Sequence, residues 1–258
     1  MTPRVALVTG AARGIGAATV QALVADGWCV VAVDRGADDP RLPYALGSRD
    51  ALEAMRSEQV LPVVADTVDE QALAGAVAVA ERAFGGLDAA LAVAGVVAGG
   101  VPLWEQPAGQ VRAVLEVDLY GVVTLARVAV PALLRRPEPR SGRFLAVASA
   151  AAGRGLPMLA AYCAAKAGVV GLVRALAVEL GGSGVTANAV SPGSTDTPVL
   201  AESARLYGLG SARDFARQQP IGRLLTPHEV ADALVWLAGP GTSGITGAVL
   251  PVDGGLAL

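Results

Sequence analysis

The chain has 258 residues, 53% hydrophobic and 17% charged, with a net charge of −3. That balance is globular rather than disordered, and it offers no electrostatic case for nucleic acid or an anionic membrane. The longest apolar stretch, Ala89 to Trp104, is broken by Gly95, Gly99, Gly100 and Pro102, so no membrane-spanning helix is expected.

Val5–Val8 predicts a first strand and Gly14–Asp26 a helix, with Gly27 placed to end it. The start, MTPRVALVTG, enters that strand without the pattern of a secretory leader. Cys29–Asp34 predicts a second strand and Val60–Ala65 a third. A helix over Glu70–Phe84 leads to a fourth strand over Ala89–Val93. One long helix is expected over Ala108–Leu134, with Gly121 inside it and Pro131 near its end. Arg143–Ser149 predicts a fifth strand, Ala160–Leu180 a helix, and Val185–Val190 a sixth strand. Helical segments are expected within Val199–Gln218 and at Pro227–Leu237, and a last strand at Val249–Val252.

Strand–helix alternation with near-continuous apolar strands means a parallel sheet covered on both faces. The expected fold is α/β, a doubly wound, mostly parallel seven-stranded Rossmann-like sheet. Neither a linker nor an internal repeat divides the chain, so residues 1–258 are expected to form a single domain. Cys29 and Cys163 sit in apolar contexts and are expected to be buried, reduced thiols of a cytoplasmic protein. With two Cys and only His228, no metal site is expected.

The first strand runs into TGAARGIG, with glycines at Gly10, Gly14 and Gly16 just before a helix. Such a loop brings backbone N–H groups and a helix N-terminus against a pyrophosphate. Asp34 ends the second strand, where a carboxylate can accept both ribose hydroxyls of NAD and would repel a 2′-phosphate. Arg35 follows it and would favour NADP; the acid at the strand end weighs for NAD.

YCAAK puts Tyr162 and Lys166 four residues apart, on one helical face. An ammonium beside a phenol favours the phenolate, which can act as general base or acid on an alcohol or carbonyl. Nineteen of the twenty basic residues are Arg, and Lys166 is the only Lys. At that position a compact point charge is wanted that a planar guanidinium does not supply. Ser149 ends the preceding strand, where its hydroxyl can bond the same substrate oxygen.

Together these residues resemble the compact type of the short-chain dehydrogenase/reductase family over nearly the whole chain. The resemblance implies that Arg13 and Ile15 of TGAARGIG contact the cofactor with the glycines, and that Asp66 and Thr67 meet its adenine. It implies a catalytic set of Ser149, Tyr162 and Lys166. SPGSTDTP looks like the segment that meets the nicotinamide, with Pro192 and Gly193 in it and Thr195 and Thr197 nearest the carboxamide. VDGG, Val252 to Gly255, resembles the family's C-terminal end.

Two departures stand out. Ala92-Val93-Ala94-Gly95 stands where the family commonly has Asn-Asn-Ala-Gly, which touches the sheet more than the chemistry; Ala94 and Gly95 remain cofactor neighbours. Asp118 stands where the family has a catalytic Asn that distorts the long helix. An Asp there keeps the local hydrogen bonding, and its charge either draws the Lys166 ammonium from Tyr162 or tunes a proton relay.

The resemblance also implies a substrate lid over about residues 198–220 and a homo-oligomer, dimer or tetramer. Leu156, Pro157, Met158 and Leu159, with Leu200, Leu206, Tyr207, Leu209, Phe215 and Trp104, predict an apolar substrate cleft. A small alcohol or ketone is the expected substrate. A non-catalytic NAD-binding sensor on the same fold should lack the Tyr–Lys pair, and an acyl-carrier-protein ketoreductase would want a basic docking surface.

The connection after Asp34 is the anomaly. Such connections usually run about two to six residues, yet here DRGADDPRLPYALGSRDAL reaches Leu52. This insertion, about residues 35–52, is similar to one in the mycofactocin-associated branch of the family. There it is thought to cover the NAD, so that the bound cofactor is recycled in place by mycofactocin, a peptide-derived external electron carrier. Pro40 and Pro43 lower the entropy cost of ordering it, and Leu42, Tyr44 and Leu46 are expected to pack over the adenosine.

Overall fold

Seven strands pair in parallel in the computed structural model, which describes residues 3–258. They are β1 (Val5–Thr9), β2 (Cys29–Asp34), β3 (Val60–Val64), β4 (Ala89–Ala92), β5 (Arg143–Val147), β6 (Thr186–Pro192) and β7 (Val249–Val252). Their order is β3-β2-β1-β4-β5-β6-β7. The chain builds outward from β1, then returns to β4 on its other side. That reversal opens a crevice beyond the carboxyl ends of β1 and β4, the place where ligands bind such sheets.

Alternate strand residues face opposite layers, which is why the strands are apolar without interruption. Leu7, Val31, Val33, Ala90 and Phe144 meet α3 (Glu70–Phe84), α5 (Gly121–Leu134) and α6 (Ala160–Glu179). Ala6, Val8, Val30, Ala32 and Leu91 meet α1 (Gly14–Ala25) and α8 (Pro227–Ala238). Phe144 is fully buried between sheet and helices, so truncating it to Ala costs about 3–5 kcal/mol. Helix ends follow local chemistry. Gly27, at φ 81°, follows α1, and Thr226 and Glu229 close a reciprocal capping box on α8.

The long helix expected over residues 108–134 is three pieces. α4 (Ala108–Leu115) passes into a π turn, Glu116–Tyr120, before α5 begins. The widened turn surrounds Asp118, whose carboxylate leaves the helix to accept the Val96 N–H. The fifth strand stops at Val147, short of the expected Ser149. There Ser149 caps a short 3-10 turn, Ala150–Ala152, its hydroxyl accepting the Ala151 N–H. The segment after β6 divides into α7 (Pro198–Leu206) and a 3-10 turn, Ala212–Gln218. Cys163 is only half-buried, whereas Cys29 is buried as expected, and both are free thiols.

Residues 35–48 form no regular element before α2 (Arg49–Glu53), yet they are tied down along their length. The Asp39 carboxylate is buried between Arg35 and Arg41, and Arg41 reaches on to Glu116 in the π turn. Leu42 is buried in a third apolar cluster with Val96, Ala113 and Ala165, and Tyr44 and Leu46 pack against it. Leu42 and Tyr44 therefore dock on the β4 loop and α4, not on the expected adenosine face. Leu46 alone of the three lines the crevice.

Candidate functional site

The crevice is a cavity of about 670 Å³. One half is built around the phosphate-type loop. Gly10 has φ 68°, and a Cβ there would lie 2.6 Å from the Ala94 Cα. Gly16 packs on the Gly10 carbonyl, and Gly14, at φ 54°, faces the Thr197 methyl. Only glycine allows this close folding of loop on sheet. Arg13 and Ile15 complete the lining at the N-terminus of α1.

Asp34 closes the far end. Its Oδ2 accepts the Ala12 N–H at 3.0 Å and its Oδ1 the Gly36 N–H at 3.0 Å. Each oxygen keeps lone-pair capacity for one ribose hydroxyl. Gly47, returning from the insertion, packs directly on that carboxylate. Arg35, also on the cavity wall, is paired with Asp39 at 3.0 Å and Asp66 at 3.5 Å. Asp66, Thr67, Ala94 and Gly95 line the adjoining wall. Thr67 fits there because α5 starts with Gly121, where a Cβ would lie 2.7 Å from Oγ1.

The insertion spans this half of the cavity. On one side Arg13 Nη1 donates to the Ala45 carbonyl at 2.6 Å, with its guanidinium 5.7 Å from the Tyr44 ring centroid. On the other side the Val97 N–H donates to Tyr44 Oη at 2.9 Å. The strap is thus fastened to the phosphate-type loop and to the loop after β4.

Ser149, Tyr162 and Lys166 meet on the other half. Lys166 Nζ is buried, donates to the Val147 carbonyl at 3.1 Å, lies 3.3 Å from Asp118 Oδ2, and sits 5.6 Å from the Tyr162 ring centroid. Burial pushes the Tyr162 phenol above its ordinary value; the Lys166 charge and the Ser149 hydroxyl pull it back, and Asp118 pushes it further up. This corrects the expectation of a lowered phenol: burial outweighs an ammonium that is shared with a carboxylate. Burial tends to discharge Lys166, but Asp118 and then Tyr162 hold it cationic, above its ordinary value. Asp118 itself is fully buried and stands behind Lys166, off the cavity wall.

Pro192, Gly193, Thr195 and Thr197 form the floor between the halves. Thr197 caps α7, its hydroxyl accepting the Leu200 N–H and donating to the Thr195 carbonyl. Sequence reading missed Gln219, a buried amide that accepts the Ser194 N–H and donates to the Ser194 and Arg223 carbonyls. It pins this floor, and no motif marks it. Leu156, Pro157, Leu159, Leu200, Tyr207, Leu209 and Phe215 line the cleft as expected, joined by Arg154 and Leu256. Met158 and Leu206 do not line it. Trp104 is 84% exposed on a 3-10 turn and does not either.

Residues 10–257 match a family model described as Enoyl-(Acyl carrier protein) reductase. The chain is 41% identical over 256 residues to cis-4-hydroxycyclohexanecarboxylate dehydrogenase of Sinomonas cyclohexanicum, covering 98% of this chain and 96% of that one. It is 34% identical over 249 residues to 2,5-dichloro-2,5-cyclohexadiene-1,4-diol dehydrogenase of Sphingobium indicum, covering 96% and 95%. Among solved structures, the 3-ketoacyl-(acyl-carrier-protein) reductase of Brucella melitensis, complexed with NADH, superposes with a TM-score of 0.87 at 30% identity, covering 99% of this chain and 98% of that one. With the parallel sheet, the glycine loop and the Ser–Tyr–Lys cluster, these matches establish that the chain belongs to the short-chain dehydrogenase/reductase family of oxidoreductases.

Proposed function

We propose that this protein oxidises a small cyclic secondary alcohol, or reduces the ketone, with NAD as hydride carrier. The observation that carries the reading is the convergence of Ser149, Tyr162 and Lys166 on one apolar end of a cavity whose other end has the glycine loop and Asp34. The donor set fits a dinucleotide: Gly10, Arg13, Gly14, Ile15 and Gly16 cradle the pyrophosphate. Asp34 takes the ribose, and Asp66, Thr67, Ala94 and Gly95 flank the adenine. Pro192, Gly193, Thr195 and Thr197 support the nicotinamide. Asp34 under Gly47, with Arg35 paired to acids, favours NAD over NADP.

Tyr162 takes the alcohol proton, Ser149 donates a hydrogen bond to the same oxygen, and the Lys166 charge stabilises the phenolate. NAD bound there would supply the hydride acceptor for the carbinol carbon. Residues 198–220 act as a lid over the substrate, and the leucines with Phe215 exclude water. A ring-sized alcohol suits this lining, and the relatives that act on cyclohexane and cyclohexadiene alcohols support it.

The strap supports a narrower reading, a mycofactocin-coupled dehydrogenase of the cytoplasm that retains its NAD. Arg13, Tyr44, Val97 and Gly47 hold residues 35–48 across the dinucleotide half, so release requires unfastening them. We include assembly into a homo-oligomer, dimer or tetramer, which sedimentation would test. The deciding experiment is to purify the protein without added cofactor, denature it, and assay the supernatant for NAD(H). Free NAD and an artificial electron acceptor are then compared in turnover of a secondary alcohol. Bound NAD with acceptor-dependent turnover fits the narrow reading. Empty protein with NAD-driven turnover leaves an ordinary exchanging dehydrogenase, and no turnover with either sinks the enzymatic reading.

A further inference from the structure

Asp118 is the group in this site that its expected counterpart, an asparagine, does not match in charge. Its side chain is fully buried in the π turn. Oδ1 is used by the Val96 N–H at 2.8 Å. Oδ2 lies 3.3 Å from Lys166 Nζ and has no hydrogen-bond partner. A buried carboxylate oxygen without a donor is costly unless a cation stands beside it. The cation here is the chain's only lysine.

Lys166 Nζ is held from two sides, by the Val147 carbonyl and by Asp118, with the Tyr162 ring on a third. Gly95 roofs the pair: a Cβ there would lie 3.5 Å from Nζ and 3.6 Å from Oδ2. The titratable groups that face Asp118 are Lys166 and Tyr162 from α6 and Tyr44 from the strap. Glu116, on the same turn, is engaged with Arg41.

We propose that Asp118 is a positioning residue whose carboxylate shares the Lys166 ammonium with the Val147 carbonyl, and that this extra charge sets where on the pH scale the Tyr162–Lys166 pair works as a base. The inference rests on the reading of Tyr162 as the base. Its sign follows from the charges. A carboxylate near a phenol opposes phenolate formation, and near an ammonium it opposes deprotonation. Replacing it by a neutral amide therefore lets Tyr162 ionise at lower pH and Lys166 discharge at lower pH. The three groups titrate together, so the change belongs to the cluster.

The test is Asp118→Asn, whose side-chain oxygen can still accept the Val96 N–H. The pH profile of kcat/KM is measured with protiated and deuterated alcohol, so that the limbs report the chemical step. Both limbs should move to lower pH, with a rate rise of roughly tenfold on the acid limb. The ultraviolet tyrosinate band, titrated with Tyr162→Phe as reference, should appear at lower pH in Asp118→Asn. That readout needs no turnover. Asp118→Ser, smaller and also neutral, must shift the same way and serves if the Asn variant fails to fold. Superimposable profiles and tyrosinate curves, or an acid limb that moves up, overturn the proposal. A wild-type protein that turns over no alcohol overturns the proposed function instead, and the tyrosinate curves then still decide the role of Asp118.

Discussion

Gly47 packs on the carboxylate of Asp34: a Cβ on Gly47 would lie 2.9 Å from Oδ1 and 2.8 Å from the Ala12 Cβ. Both neighbours are fixed, one by two backbone amides and the other by burial. Gly47→Ala must therefore lift the strap. We predict less NAD(H) in the purified protein and dinucleotide dissociation faster by about tenfold, a difference of about 1.4 kcal/mol. Rapid mixing with excess of a competing dinucleotide measures it.

Tyr44→Phe removes the acceptor of the Val97 N–H while keeping the ring against Arg13. An amide left without its partner costs about 1–3 kcal/mol. Thermal denaturation should show that loss, and dissociation should quicken as for Gly47→Ala. Burial pushes the Tyr44 phenol up to about 12, so this hydroxyl stays protonated and the fastening itself should not vary with pH across the neutral range.

Tyr162→Phe should lower alcohol oxidation by roughly 10²–10⁴-fold, the usual worth of a positioned general base. The bound NAD(H) content should not change. Lys166→Arg should be similarly damaging, because a guanidinium does not fit between Val147, Asp118 and Gly95. Single-turnover kinetics with a dinucleotide assay separates the two effects.

Glu229 reports on stability rather than catalysis. Arg223, and next the Thr226 N–H, hold its carboxyl at about 2, well below its ordinary 4.5. The folded value lies below the unfolded one, so this stabilisation is complete above about 4.5 and fades as pH falls toward 2. The side chain is partly exposed, and screening reduces the gain to about 1 kcal/mol. Urea melts of wild type and Glu229→Gln should differ by that amount at neutral pH and converge in acid.

The strands were legible because both faces of a parallel sheet are buried, so Val5–Thr9 and Cys29–Asp34 read as apolar runs. The glycine loop and the Tyr162–Lys166 pair were legible because each spacing is set within one stretch of chain, and Asp34 and Ser149 because they follow apolar strand runs; all line one cavity. The π turn leaves no trace in the apolar pattern, since that pattern does not register one extra residue in a turn; only the resemblance, which puts a helix-distorting residue at Asp118, pointed to it. The pairing of Tyr44 with Val97 was not legible, since the two lie 53 residues apart in sequence. Trp104 misled because an aromatic near a cleft residue suggests lining, while its turn carries it to the surface. The raised phenol of Tyr162 was hidden because burial is a property of packing.

Val96 and Val97 are neighbours in the chain, and their amides serve different masters. Val96 donates to Asp118 and Val97 to Tyr44. Whatever displaces residues 35–48 by the length of a hydrogen bond pulls on Val97, the immediate neighbour of the peptide that seats the carboxylate behind Lys166. A chimera that imports the strap into a relative without it would thus need to match the residue at 118 and the backbone between them. The loop travels as part of a larger cassette, and an engineer who swaps it alone should see the acid–base behaviour change along with the grip on the dinucleotide.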